Sequence, residues 1–205
     1  MALSAFIKTV EKGEPGPSPR FDAAHALLAF MVIGSVGSIG RQSLARSSGL
    51  GEGSIRTILK KLQHEGFVAT NALGCYLTTR GSLAYKSILG RVSPLVPIEG
   101  ASLTLGGSHV AILVKSSASA VGSGIDQRDS AIRIGALGAT TYVIKSNRFS
   151  VPGGSGDCEK DFPSKAWPKL REDLKPKNGD VVIVCGAGDE TAAKLGALAA
   201  ALTLL

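Results

Sequence analysis

Apolar residues recur at Ile55, Ile58, Leu59 and Leu62, the i, i+3, i+4, i+7 spacing that gives a helix one buried stripe. Arg56, Thr57, Lys60 and Lys61 fall off that stripe, on the surface left to solvent. A glycine-containing turn at Gly49 to Gly53 separates this helix from a shorter one around Leu44-Ala45. Upstream, Asp22 stands where it can cap a helix carrying Ala24, Leu27, Leu28 and Met31. Downstream, Phe67–Thr70 and Cys75–Thr78 flank Asn71-Ala72-Leu73-Gly74, a hairpin turn with asparagine and glycine where positive φ is cheap. Thr79 is then the expected N-cap of a helix through Leu89 with Leu83, Tyr85 and Ile88. The pattern predicts helix, helix, helix, hairpin, helix over residues 21–91.

A helix with an apolar back and a basic front, braced by a shorter helix before it, has the form of a reader of the DNA major groove. The segment resembles the core of winged helix-turn-helix regulators of bacteria and archaea, most closely the GntR type. Leu44-Ala45 precedes the turn, Gly49-Leu50 enters it, Ser54-Ile55-Arg56 opens the recognition helix, and Leu62-x-x-Glu65-Gly66-Phe67-Val68 leaves it. The resemblance covers about thirty residues. Arg41 lies near, but out of register with, the arginine that the family sets against phosphate. The expected contacts are Glu52, Ser54, Arg56 and Thr57 toward base edges, Lys60 and Lys61 nearer phosphate, and Arg41 and Arg80 as further DNA-binding residues.

The texture changes after Val92–Gly100, where two prolines interrupt everything helical and suggest a linker. His109–Lys115 and Asp180–Cys185 read as buried strands, and Thr140–Lys145 with Phe149–Val151 as a hairpin turning at Ser146-Asn147. Residues 124–137 read as a helix capped by Asp126 and ended near Gly138. Ser164–Leu174 and Asp189–Leu204 read as further helices. Strands alternating with helices suggest a small α/β layer domain over residues 101–205 with a mixed, partly parallel sheet. The fold expected for the whole chain is therefore a winged helix followed by that α/β domain, after a lead-in over residues 1–20. Each buried strand runs into a glycine-bearing loop and then a helix. If the two strands are parallel, Gly122, Gly124, Asp126 and Asp129 share one rim with Gly186, Gly188, Asp189 and Glu190, and form a site for a small-molecule effector. Residues 124–145 and 179–202 also resemble an uncharacterised archaeal domain attached to winged helices, which implies an effector-sensing or dimerising role.

Charge sharpens the first reading. The 205 residues carry a net charge of +7. Residues 1–98 hold 11 Lys/Arg against 5 Asp/Glu, a net of +6, and residues 99–205 hold 12 against 11, a net of +1. The excess lies with the segment expected to meet phosphates, where it makes binding strong and salt-dependent. No run approaches the ~18 apolar residues of a membrane span, and no signal peptide is evident at the start. Cys75, Cys158 and Cys185 are far apart and without metal-ligand spacing, so we expect ordinary thiols of a cytoplasmic protein, with no metal and no cofactor.

Other function classes fit less well. Gly186-Ala187-Gly188-Asp189 resembles the anion-hole motif of ribokinase-like sugar kinases, but that fold needs a far longer chain. Residues 120–130 lack the Lys-Ser/Thr pair of a P-loop. His25, His64 and His109 fall in three separate elements, so no nucleophile–base pair is suggested and no catalytic residue is expected. The expectation is a regulator of double-stranded DNA acting as a homodimer, with the leucines 195, 198, 202 and 205 or the helix Thr79–Leu89 as dimer surfaces. The alternatives are a winged-helix protein–protein adaptor of the transcription machinery and, less favoured, a small nucleotide- or sugar-binding enzyme.

Overall fold

The structure, a computed structural model, describes residues 6, 7, 9, 10, 21–99 and 103–205. Most of the expected lead-in over residues 1–20 lies outside the described residues, as does Gly100. The chain is of mixed α+β type and divides into two compact units, Met1–Leu89 and Gly90–Leu205.

In the first unit, α1 (Ala23–Val36) is apolar on nearly every side and nine of its residues are buried. Asp22 starts it. Its carboxylate accepts from the amides of Ala24 at 2.9 Å and His25 at 3.3 Å, and the His25 ring returns a bond to the Asp22 amide. These contacts satisfy donors that a helix start otherwise leaves open. A two-residue strand, β1 (Ser38–Ile39), leads to α2 (Arg41–Ser48). Gly49 closes α2 in the left-handed region, φ 64°, where a side chain would be strained. Then comes α3 (Glu52–His64), with Ile55, Ile58, Leu59 and Leu62 all buried. Each such side chain contributes about 1.5–3 kcal/mol relative to exposure, so this stripe holds α3 in place.

The antiparallel hairpin β2 (Val68–Asn71) and β3 (Gly74–Leu77) follows, and β3 also pairs with β1. The Asn71 side chain accepts from the Leu73 amide at 2.8 Å and fixes the turn. The last helix, α4 (Thr79–Leu89), is capped by Thr78 rather than Thr79: the Thr78 hydroxyl accepts from the Gly81 amide at 3.0 Å. Its buried face is Gly81, Ala84 and Ile88, while Leu83, expected inside, is exposed. Phe6 and Val10 are helical and buried, with the Phe6 ring centred 4.9 Å from that of Phe30, so part of the expected lead-in belongs to this core.

The second unit is built on one five-stranded sheet. Its strands are β4 (Val96–Ile98), β5 (Ser108–Val114), β6 (Gly138–Lys145), β7 (Arg148–Ser150) and β8 (Val181–Ala187), in the order β4-β5-β8-β6-β7. Every neighbouring pair is antiparallel, which corrects the expected partly parallel sheet. The reason is topological. Helix α5 (Ile125–Arg133) carries the chain from β5 across to β6, and these two strands do point the same way. They are not neighbours, because β8 enters between them in the opposite direction.

The segment expected as a linker also pairs: Val92 bridges Val114 and β4 forms the sheet edge. Pro97, with no N–H, is tolerated there because an edge strand leaves one side unpaired. Helix α5 starts at Gly124, φ 83°, with no side-chain cap, so Asp126 lies inside the first turn instead of capping it. Helix α8 (Glu190–Leu202) buries Leu195 and Leu198, which removes them as dimer surface. Gly196 lets α8 approach β8 and α5: a Cβ there would meet the Cys185 sulfur at 2.5 Å and the Ala136 methyl at 2.8 Å. Behind α6 (Cys158–Asp161), α7 (Ala166–Leu174) sets Trp167, Leu170 and Leu174 against Leu113, Tyr142, Phe149, Val182 and Val184.

Candidate nucleic-acid interface

With its four apolar residues turned inward, α3 leaves Gly53, Arg56 and Lys60 exposed and Ser54 and Thr57 half-buried. Arg56 and Lys60 are one turn apart and stand on the same outward stripe. Neither has a carboxylate partner among the described residues. Thr57 donates its hydroxyl to the Gly53 carbonyl at 3.2 Å, leaving its oxygen lone pairs and methyl outward. Glu52 sits in the first turn, where a carboxylate suits the helix dipole, and Arg41 of α2 reaches it at 3.7 Å. Gln63 donates to Thr70 at 2.7 Å and ties the end of α3 to β2.

Two expected contacts are tethered differently. Lys61 points back into its own unit. Its ammonium donates to the Val10 carbonyl at 2.7 Å and lies 6.0 Å from the Phe21 ring. It is therefore a brace between α3 and the helical residues near the chain start. Arg80 stays 62% exposed at the start of α4, over the Phe67 ring at 4.9 Å and 3.8 Å from Glu65. Sequence reasoning passed over Arg46, an exposed cation in the last turn of α2 that donates to Ser43 at 3.2 Å. With Gln42, Gly49, Leu50 and Glu52 it lines an open groove of about 500 Å³ between α2 and α3. Its position two residues after Leu44, off the apolar side, was the available signal.

The expected effector pocket does not exist. Because β5 and β8 are antiparallel, with Ser108 opposite Ala187 and Val114 opposite Val181, the loops after them leave opposite ends of the sheet. Gly122, Gly124, Asp126 and Asp129 are thus separated from Gly186, Gly188, Asp189 and Glu190. Local contacts account for several of them. Asp189 caps α8 by accepting from the Ala192 amide at 2.9 Å, Glu190 binds Lys194 at 2.7 Å, and Arg128 holds Asp129 at 3.0 Å. Gly186 lies under the Leu105 carbonyl, where a Cβ would come within 1.9 Å, so its lack of a side chain serves packing.

Two buried groups of the second unit are shifted by their surroundings. Burial pushes the Cys185 thiol up to about 12, and burial, followed by the neighbouring Cys158, raises the Tyr142 hydroxyl. Among the described residues no group of three His, Cys, Asp or Glu could hold a metal ion, and no helix is long and apolar enough to cross a membrane.

Residues 105–204 match the family described as a domain of unknown function, DUF4443. No curated protein matches the chain. Among solved structures, the hypothetical protein PH0730 from Pyrococcus horikoshii OT3 is 25% identical, covers 90% of this chain and 93% of its own, and superposes with a TM-score of 0.74. A MarR family protein from Mycobacterium tuberculosis is 20% identical over 43% of this chain and 60% of its own, with a TM-score of only 0.32.

Proposed function

We propose that this chain is a DNA-binding transcription regulator whose first unit is a winged helix, with α3 as the helix that enters the major groove. The observation that carries this reading is the outward stripe of α3. Arg56 and Lys60 stand there without carboxylate partners among the described residues, beside the hydroxyls of Ser54 and Thr57, on a helix pinned from behind by four buried residues. The order α1, β1, α2, α3, β2, β3 supports it, since it is the order of a winged helix-turn-helix, and so does the resemblance of residues 44–68 to GntR-type regulators. In this reading Arg56 reads a base edge, Glu52 accepts from a base amine where Arg41 permits, and Lys60, Arg46 and Arg41 meet phosphate. The hairpin carries no Lys or Arg between Val68 and Leu77, so specificity rests on α3 and its neighbour α2.

The protein acts in the cytoplasm by binding rather than by catalysis. It works as a homodimer, because one such module makes few base contacts and a two-fold pair doubles them over a palindromic site. The experiment is a selection of bound duplexes from a random pool, followed by anisotropy titrations over a range of NaCl. An enriched sequence bound with a steep salt dependence supports the reading. No enrichment and no binding at low salt rejects it in favour of a protein–protein adaptor. Sedimentation of the DNA complex at one chain per duplex would reject the dimer.

A further inference from the structure

The second unit has a net charge near zero, yet one end of its sheet carries a row of cations. At the end of the sheet where Val114 faces Val181 and Val143 faces Val181, each successive segment carries a cation. Arg91 lies at the edge, its carbonyl accepting from the Lys115 amide at 2.8 Å, and Lys115 follows β5. Lys177 precedes β8, Lys145 ends β6, and Arg148, paired to Lys145 in register, opens β7. Lys175 stands just before Lys177, at the end of α7. Adjacent strands are ~4.8 Å apart, so the row extends roughly 19 Å across five segments.

Most carboxylates near this end are held locally, Asp129 by Arg128 among them, while Asp126 in the first turn of α5 and Glu172 in the last turn of α7 are exposed. Asp180 is buried and accepts from the amides of Ser116 and Lys177, each at 2.9 Å. Asp157 lies 3.9 Å from Arg148, and Glu159 is bound to Arg171. Arg91, Lys145, Lys175 and Lys177 are exposed, and none has a carboxylate partner among the described residues. The opposite end carries Glu99, Asp189 and Glu190 against Arg133 and Lys194, the latter bound to Glu190. An overall balance of +1 beyond residue 98 hides this row.

We propose that this row is a second nucleic-acid surface, one that binds the phosphate backbone of duplex DNA without reading its sequence. A line of cations on a rigid sheet end, four of them without a carboxylate partner among the described residues, fits a regularly spaced polyanion, and it releases counterions on contact. The inference rests on the reading of the first unit as a DNA-binding module and extends that module's footprint.

The test compares the full chain with the triple variant Arg91→Gln, Lys145→Gln, Lys177→Gln. A control triple variant, Arg133→Gln, Lys165→Gln, Lys169→Gln, makes the same charge change away from the row. Affinity for a selected duplex is measured by anisotropy against NaCl, with thermal melts to show that both variants stay folded. If each residue in the row neutralises one phosphate, the slope of log K against log salt becomes shallower by about 2.7 in the row variant and stays at the wild-type value in the control. Equal slopes in wild type and row variant overturn the proposal, and so does an equal loss in the control. If Arg56→Ala still weakens binding in either case, the reading of the first unit stands. A wild-type chain that binds no DNA overturns both.

Discussion

Lys61→Met separates bracing from DNA contact on a single helix. Methionine keeps an unbranched stem against Phe21 and deletes the donor that reaches the Val10 carbonyl at 2.7 Å. A hydrogen bond from a charged donor contributes about 1.5–3 kcal/mol. Lys61 is only half-buried, so water replaces part of that bond, and we expect a net loss of about 1 kcal/mol. For a domain the size of the first unit this lowers Tm by roughly 4–8 °C. Lys60, one residue earlier, is exposed and without a carboxylate partner among the described residues, so Lys60→Gln should leave Tm where it is. In DNA titrations the pattern reverses. Lys60→Gln makes the salt slope shallower by about 0.9, the contribution of one phosphate, and Lys61→Met does not change it. Calorimetry of both variants and anisotropy titrations at several salt concentrations supply the four numbers. The reasoning is refuted if Lys61→Met melts with the wild type and flattens the salt slope as Lys60→Gln does.

Gly81→Ala places a Cβ within 1.9 Å of the Phe67 carbonyl, a backbone atom that cannot step aside. It should cost about 1–3 kcal/mol by overpacking although alanine is the better helix former, and a urea melt of the full chain reads the loss. In the second unit, the unfolded chain releases the Cys185 proton near pH 9.0 and the folded chain only near 12. Between those values the folded state holds more protons, so stability falls as pH rises from 9.0 toward 12. Cys185→Ala should make that fall shallower, and a melt series at constant ionic strength that is identical for variant and wild type would count against a buried thiol.

How much of this could be read beforehand depended on the range of the interactions. The stripe of α3 was legible because Ile55, Ile58, Leu59 and Leu62 repeat within one helix, and all four are buried. The turn at Ser146-Asn147 was legible for the same reason, and both residues do adopt positive φ, 50° and 60°. What failed was non-local. Alternating strands and helices reveal a crossover from β5 to β6, but nothing local to those segments shows that β8 slots between them. The effector pocket fell with that assumption, because it required Gly122 and Gly186 at one rim. The brace made by Lys61 was not legible because its partner, Val10, is 51 residues away and nothing local to α3 points to it. Small slips had small causes: Thr78 and Thr79 are both good caps, and only the fold decides which hydroxyl meets the Gly81 amide.

The central claim is that α3 enters the major groove and that Arg56 reads a base there. It is tested most directly by Arg56→Ala, measured on the selected duplex and on a set of its single-base variants. A lost bidentate base contact costs about 1–3 kcal/mol on the preferred sequence and removes the preference at one base pair, leaving the others intact. Arg80→Ala, on a side chain held over Phe67, should weaken all duplexes little and equally. Unchanged specificity in Arg56→Ala, with binding abolished by Arg80→Ala, would contradict the assignment of α3 to the groove.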